Sequence, residues 1–506
     1  MQRRKAEAAG YSTGHGAVTT SLHKTGQGHV KCKLSTVMAL AVVIPAMAMV
    51  LMLYLSLTVS PPVTTTTSHP RPGKSDQGAT PQVSSPVAND QAKNRESTLN
   101  RRAETAKAVT PKGDAESPSV EYHIIFSTGC STFQDWQSYV FFYYAMISGQ
   151  PGTVTRIVSG CNEEDENTLQ KIFDEQIRPM SPHFKIHFTP DFSNIKPSAP
   201  NYKYFNKPFG TKHWLENALG FPDNPQNEDA IVILMDPDQI IIRPFTNNDF
   251  SNTEWKYAKE NPRTRIEHGK PMGQLYGFYI QWKQKVNMTI ALPNEKSPID
   301  DMTDKEAREG YVVGPPYIAT ARDMYKIAVK WCEFAIPVHD QYPHLLAEMF
   351  AYCIGAAHQK LAHQIAVSFM VSDVGSGKGE GWNYIDRIPA EEVCRERDPA
   401  DYPNVVHFCQ RYALGRWFFG KYKQPHDFLS CEHPLLKEPP DTIATELLYA
   451  EYPDKSKKKM TETTAKRNAF MLCQMIPAVN KAATYYKQNH CDDNANYDKT
   501  FTFHKN

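Results

Sequence analysis

Two carboxylates stand two residues apart in Asp236-Pro237-Asp238, after the apolar run Ala230-Ile231-Val232-Ile233-Leu234-Met235 and before Gln239-Ile240-Ile241-Ile242. Pro237 fixes a backbone angle between them, so the pair is presented with little conformational freedom. Hard oxygen donors at a strand end suit Mn²⁺ or Mg²⁺, which bind through one or two carboxylates together with phosphate oxygens. A metal held there would neutralise the diphosphate of a sugar nucleotide and act as a Lewis acid for its departure. An Asx-type turn uses the same residues without a metal, so position in the fold must decide.

Two further residues extend this chemistry. His407 ends the strand-like run Val405-Val406-His407-Phe408 and is a candidate third metal ligand. Glu348 lies in the apolar stretch His344-Leu345-Leu346-Ala347-Glu348-Met349-Phe350-Ala351-Tyr352, where a lone carboxylate is costly unless it is paired or used. It is a candidate catalytic residue, orienting an acceptor hydroxyl or a sugar or serving as a base, and Asp238 joins it in that role. A buried ion pair would satisfy Glu348 equally well. Arg411, Arg416, Lys421 and Lys423 follow His407 and read as a solvated basic surface, the alternative being a flexible basic segment near the diphosphate. The glycine-rich Gly375–Gly381 lacks the order of a phosphate loop and reads as a mobile loop or lid.

The elements that must position these groups alternate. His123–Ser127, Thr155–Ser159 and Ala230–Met235 are strand-like apolar runs. Between them, Trp136, Val140, Tyr143, Tyr144 and Ile147 recur at helical spacing after Ser131 and Thr132, and Gly149 and Pro151 end the helix. Helices are also expected across Glu163–Ile177 and across Lys212–Leu219, closed by Gly220. The order strand, helix, strand predicts an α/β body with a Rossmann-type, mostly parallel sheet flanked by helices. Ligands of such sheets bind beyond the C-terminal strand ends, which is where Asp236 falls.

The chain of 506 residues is segmented. Its 56 Lys and Arg against 55 Asp and Glu (56 − 55 = +1) lack the basic excess of a nucleic-acid binder, and 11% aromatic residues exceed what a disordered regulator carries. Residues 1–33 are polar and basic, and 34–60 carry no charge over a length sufficient for one membrane-spanning helix. A cleaved signal peptide would have a shorter apolar core nearer the N-terminus. Basic residues before the span place the N-terminus in the cytoplasm, making the rest lumenal in a single-pass type II arrangement. Residues 61–118, rich in Pro, Thr and Ser, are expected to be a disordered stem. The catalytic body is expected at 119–431, and 432–506 as a C-terminal helical extension. Nine of the ten cysteines follow the span, so disulfides are expected with at least one thiol left over. Asn287-Met288-Thr289 is an N-glycosylation sequon. Golgi glycosylation enzymes share this layout, as do many surface receptors.

Several ordered motifs carry a resemblance. Phe126–Gln137, Pro151–Ser159, Asn206-Lys207-Pro208, Asp236-Pro237-Asp238, Gly314–Ala319 and Glu348–Tyr352 resemble, in order, the plant and algal hydroxyproline O-arabinosyltransferases and peptidyl serine α-galactosyltransferases. The likeness runs from about Tyr122 to about Lys423. It implies a GT-A-like, metal-dependent glycosyltransferase of the Golgi or ER membrane, using a UDP-sugar and modifying hydroxyproline or serine of secretory proteins. By the same resemblance, Asp236 and Asp238 form the metal and nucleotide-sugar motif, Asn206 and Lys207 belong to the donor site, and Asp135, Trp136 and Gln137 begin a helix beside the nucleotide. The arabinosyl branch tends to Glu-Pro-Asp and the galactosyl branch to Asp-Ala-Asp; the Asp-Pro-Asp of this chain is a mixture and leaves the sugar open. Another reading is a lumenal carbohydrate-binding protein that uses the Asp pair for Ca²⁺ without turnover.

Overall fold

The chain is represented by a computed structural model that describes residues 120–503 apart from 197–200, 248, 249, 251, 258–261, 493 and 494. The expected tail, span and stem lie outside the described residues. Among the described residues no helix is long and apolar enough to cross a membrane.

The body begins with β1 (Tyr122–Gly129), whose residues alternate between two cores: Ile124 and Phe126 face one, Ile125 the other. A loop leads to α1 (Asp135–Ile147), which ends before Gly149 at φ 70°. β2 (Thr153–Ser159) follows, then α2 (Glu163–Ile172), capped by the Asn162 side chain and continued by a π turn over Phe173–Ile177. Four acids in the first turn of α2 complement the helix dipole. β3 (Phe184–Thr189), α3 (Asn206–Ala218) and β4 (Ile231–Met235) complete the first half. The later elements are β5 (Gln239–Ile241), β6 (Met272–Leu275), β7 (Val313–Thr320), α4 (Ala321–Gln341), α5 (Ala347–His358), β8 (Gln364–Ala366), β9 (Met370–Val371), β10 (Val405–His407), β11 (Arg411–Leu414), β12 (Trp417–Gly420) and the long α6 (Glu462–His490).

Seven strands form the main sheet in the order β3-β2-β1-β4-β7-β6-β8. The first four run parallel, as the alternating pattern requires. β7 runs antiparallel to both β4 and β6, and β8 is parallel to β6. The sheet is therefore mixed, with a single reversed strand. The C-terminal ends of β1 to β4 share one edge, and the Asp236 turn extends from it. A second sheet, β5-β10-β9, stands beside that edge, with His407 registered opposite Gln239. This pairing brings a residue 169 positions downstream of Asp238 next to it, because Gln239 directly follows Asp238.

Two apolar cores clothe the main sheet. One is built by α3, α4 and α5, the other by α1, the small sheet and α6. At about 1.5–3 kcal/mol per fully buried large apolar side chain, these contacts dominate stability. The C-terminal stretch is continuous with this body. Phe470, Leu472, Met475 and Val479 of α6 pack into the same core as Trp136 and Tyr139 of α1. Disulfides Cys394–Cys473 and Cys431–Cys491 tie it down, and Cys130–Cys161 joins the loops after β1 and β2. Cys332, Cys353 and Cys409 are free.

Candidate metal centre

The Asp236 turn is closed at its base. The Gln239 backbone N–H donates to the Asp236 carbonyl (3.2 Å), and the Gln239 side-chain oxygen accepts from the Asp236 backbone N–H (3.0 Å). Gln239 is fully buried, so its amide anchors the turn to the strand layer. Asp238 is buried, and its carbonyl accepts the Phe408 N–H at 3.0 Å, which fixes the end of β10. His407 presents Nε2 at 3.2 Å from Asp238 Oδ1. Its other ring nitrogen lies 3.2 Å from Met370 Sδ, and its carbonyl accepts the Tyr412 hydroxyl at 2.9 Å. One ligand atom each from Asp236, Asp238 and His407 lies within 4.8 Å of the others. Two carboxylates and an imidazole at that spacing fit a hard or borderline divalent cation such as Mn²⁺ or Mg²⁺.

Cations of the protein itself compensate these acids. Lys207, from α3, places its ammonium 2.7 Å from Asp236 Oδ1 and 2.8 Å from Glu348 Oε1 on α5. Lys421, just after β12, pairs with Asp238 Oδ2. Burial alone would lower the Lys207 pKa, but Asp236 and Glu348 outweigh it and hold the group above the usual range. Burial likewise works to raise the Asp238 carboxyl; Lys421 and His407 overcome it and hold the group well below the usual carboxylate range. Glu348 goes the other way: burial raises it, and the Lys207 ammonium only partly offsets this. The free thiol of Cys409 lies against His407.

The structure thus gathers Asp236, Asp238, His407, Lys207 and Glu348. The remaining candidates are placed differently. Asp135 is half-buried and paired with the buried Arg156 at 2.8 Å. Trp136 is buried with its ring 5.8 Å from Phe408, and Gln137 is buried and donates to the Phe133 carbonyl. Asp135, Trp136 and Arg156 line a cavity of about 200 Å³ between α1, α2 and α6. Asn206 accepts the Phe192 N–H at 2.7 Å and so braces the segment before α3.

Sequence reasoning missed three contributors. Lys421, read as a solvated surface, is only 14% exposed and sits on Asp238, a contact that β10 to β12 create by returning the chain to the site. Tyr276 is half-buried next to the carboxylates, and its hydroxyl donates to the Pro315 carbonyl at 3.4 Å. Its ring lies over Gly314, where a Cβ would stand 2.3 Å away, so this position requires glycine. In sequence, the available signal was a glycine beside two prolines in Gly314-Pro315-Pro316. The third is Glu380: far from being free, the glycine-rich loop is held by it, since its carboxylate accepts from Ser372 and Asp373 backbone N–H groups, the Ser372 hydroxyl and Trp382 Nε1.

No protein-family model matches the chain. It is 24% identical over 340 residues to a peptidyl serine alpha-galactosyltransferase of Arabidopsis thaliana, covering 67% of this chain and 36% of that protein. A protein of the same name from Chlamydomonas reinhardtii is 24% identical over 258 residues, covering 48% and 30%. The chain therefore spans about a third of the length of the curated relatives it matches. Among solved structures, a galactosyltransferase in complex with donor and acceptor sugar analogs aligns with 12% identity and a TM-score of 0.31, covering 57% of this chain and 87% of that one. The apo form of mouse xyloside xylosyltransferase 1 aligns with 11% identity and the same TM-score, covering 57% and 97%. These two alignments are too loose to assign a fold. Both curated relatives carry the name of one of the two families that the motifs resemble: the chain is similar to the peptidyl serine alpha-galactosyltransferases of a plant and an alga.

Proposed function

We propose that this protein is a GT-A-like, divalent-metal-dependent glycosyltransferase that moves galactose or arabinose from a UDP-sugar to serine or hydroxyproline of secretory proteins. The observation that carries this reading is the convergence of Asp236, Asp238 and His407 at the C-terminal edge of the parallel strands. The relatives' name supports galactose and serine, while Asp-Pro-Asp keeps arabinose as a donor to be tested. Residues 34–60 anchor it, as a type II protein, in the Golgi or ER membrane.

Asp236, Asp238 and His407 would hold Mn²⁺ or Mg²⁺, which when bound supplies charge neutralisation and Lewis acidity for the departing diphosphate. The chain's own residues prepare that site. Lys207 orients the Asp236 carboxylate, and Glu348, 2% exposed, holds Lys207 in place from the opposite side. Glu348 is therefore a positioning residue acting through Lys207. Asp135 and Trp136 are assigned to the nucleotide side of the site by the resemblance alone; the cavity they border beside α1 has none of Asp236, Asp238 and His407 in its lining. A Ca²⁺-dependent lectin is the weaker reading, because Ca²⁺ takes six to eight oxygen ligands and His407 offers nitrogen.

The test is a donor screen. The purified chain is incubated with UDP-galactose or a UDP-arabinose, Mn²⁺ and peptides containing serine or hydroxyproline. A peptide mass gain of one hexose or one pentose is expected. Sugar binding with no mass gain and no UDP release from any donor would sink the enzyme reading.

A further inference from the structure

We infer that Lys421 is a built-in counter-cation of the metal centre, which a divalent metal must displace from Asp238 in order to bind. The inference rests on the metal reading above and adds an internal competitor to it. Both oxygens of Asp238 are engaged, Oδ1 by His407 Nε2 at 3.2 Å and Oδ2 by the Lys421 ammonium. A metal coordinated by Asp236, Asp238 and His407 would share Asp238 with that ammonium. Like charges a few ångströms apart in a poorly solvated site repel by far more than thermal energy.

The two lysines differ in a way that decides which leaves. Lys207 is gripped by two carboxylates, Asp236 and Glu348, and keeps Glu348 when Asp236 turns to a metal. The Lys421 ammonium is paired with Asp238 and rests 5.1 Å from the Tyr422 ring centroid. Charge counting agrees. With His407 neutral, as a metal ligand must be, Asp236, Asp238, Glu348, Lys207 and a dication sum to +1 with Lys421 in place and to 0 once Lys421 has left. Lys421 also begins a surface segment, a 3-10 turn over Lys421–Lys423 in which Tyr422 and Lys423 are exposed. That segment is latched to the loop after β1: the Tyr422 ring stacks on Phe133 with centroids 5.4 Å apart, and His426 Nδ1 lies 3.3 Å from the Thr132 hydroxyl. Displacement of Lys421 removes the ionic member of this latch and loosens residues 421–427.

The experiment titrates Mn²⁺ into the full chain and follows the free ion by electron paramagnetic resonance. Lys421→Met is expected to bind Mn²⁺ about tenfold more tightly than wild type, and the exposed Lys423→Met to match wild type. Hydrogen exchange of residues 421–427 is expected to rise when Mn²⁺ saturates the wild type, and to be raised already in Lys421→Met without metal. Unchanged affinity in Lys421→Met overturns the proposal. So does tighter binding without any Mn²⁺-induced rise in exchange, because that is repulsion at a distance and not displacement. Failure of every variant, Lys421→Met included, to bind Mn²⁺ would instead overturn the metal reading itself.

Discussion

Lys207 stands between two carboxylates that would otherwise face each other in a buried site, so its loss should be felt first in the fold. Removing one partner of a buried ion pair costs about 3–5 kcal/mol, because the remaining charge is left uncompensated. Lys207→Met, measured by urea unfolding with EDTA present, is therefore expected to lose stability on that scale. In Lys207→Met/Glu348→Gln one of the two orphaned charges is gone, and the double variant should lose clearly less than the sum of the singles. Additive losses would mean that the pair does not interact. Much of this was legible in the residues themselves. A carboxylate in the apolar face of α5 had to be paired or used, and the Asp pair followed an unmistakable buried strand. The partner of Glu348 was not legible, because Lys207 lies 141 residues upstream and only the packing of α3 against α5 joins them. Lys421 was misread for the same reason: a lysine in a polar stretch looks solvated until the chain's return path is known.

At the level of elements, the segment Ser372–Trp382 shows how a loop-like composition can be held. The Glu380 carboxyl is pushed up to about 7, from an ordinary 4.5, by burial that the hydrogen bonds it accepts from Ser372 and Asp373 only partly offset. The folded state thus keeps a proton that the unfolded chain releases near 4.5. Stability from this group is fully present below that pH and is lost as pH rises through about 7. Part of the residue remains open to solvent, so the effect is expected to be roughly 2 kcal/mol at most. Thermal unfolding of wild type between pH 4.5 and 8 should show the decline, and Glu380→Gln should flatten the slope whatever its effect on the baseline. An equal slope in both would assign the pH dependence elsewhere. The strands β1, β2 and β4 were visible as short apolar runs. β7 was not, because it is buried on both faces without alternation and contains two prolines, which ordinarily argue against a strand. Its reversed direction is equally silent in sequence: apolar patterning carries no sign of strand polarity.

For the whole molecule, the C-terminal stretch matters more than its composition suggests. The described residues belong to a single compact unit, and α6 fills a core shared with α1. Cys394–Cys473 closes a loop of 79 residues between the body and α6. Loss of such a cross-link costs roughly 4 kcal/mol by loop-closure entropy. Cys473→Ser should lower the urea midpoint correspondingly, and an unchanged midpoint would show that α6 is held by packing alone. That α6 is helical was expected; that it completes the body was not, since its buried face becomes evident only once α1 is placed against it.

Asp236, Asp238 and His407 are proposed to form one metal-dependent nucleotide site. Calorimetric titration of UDP into the full chain tests it most directly. UDP is expected to bind in Mn²⁺, and binding should weaken at least about a hundredfold in EDTA and in Asp238→Asn, with the near-ultraviolet circular dichroism of the variant unchanged. Equal UDP affinity in Mn²⁺, in EDTA and in Asp238→Asn would mean that these residues do not form a metal-dependent nucleotide site.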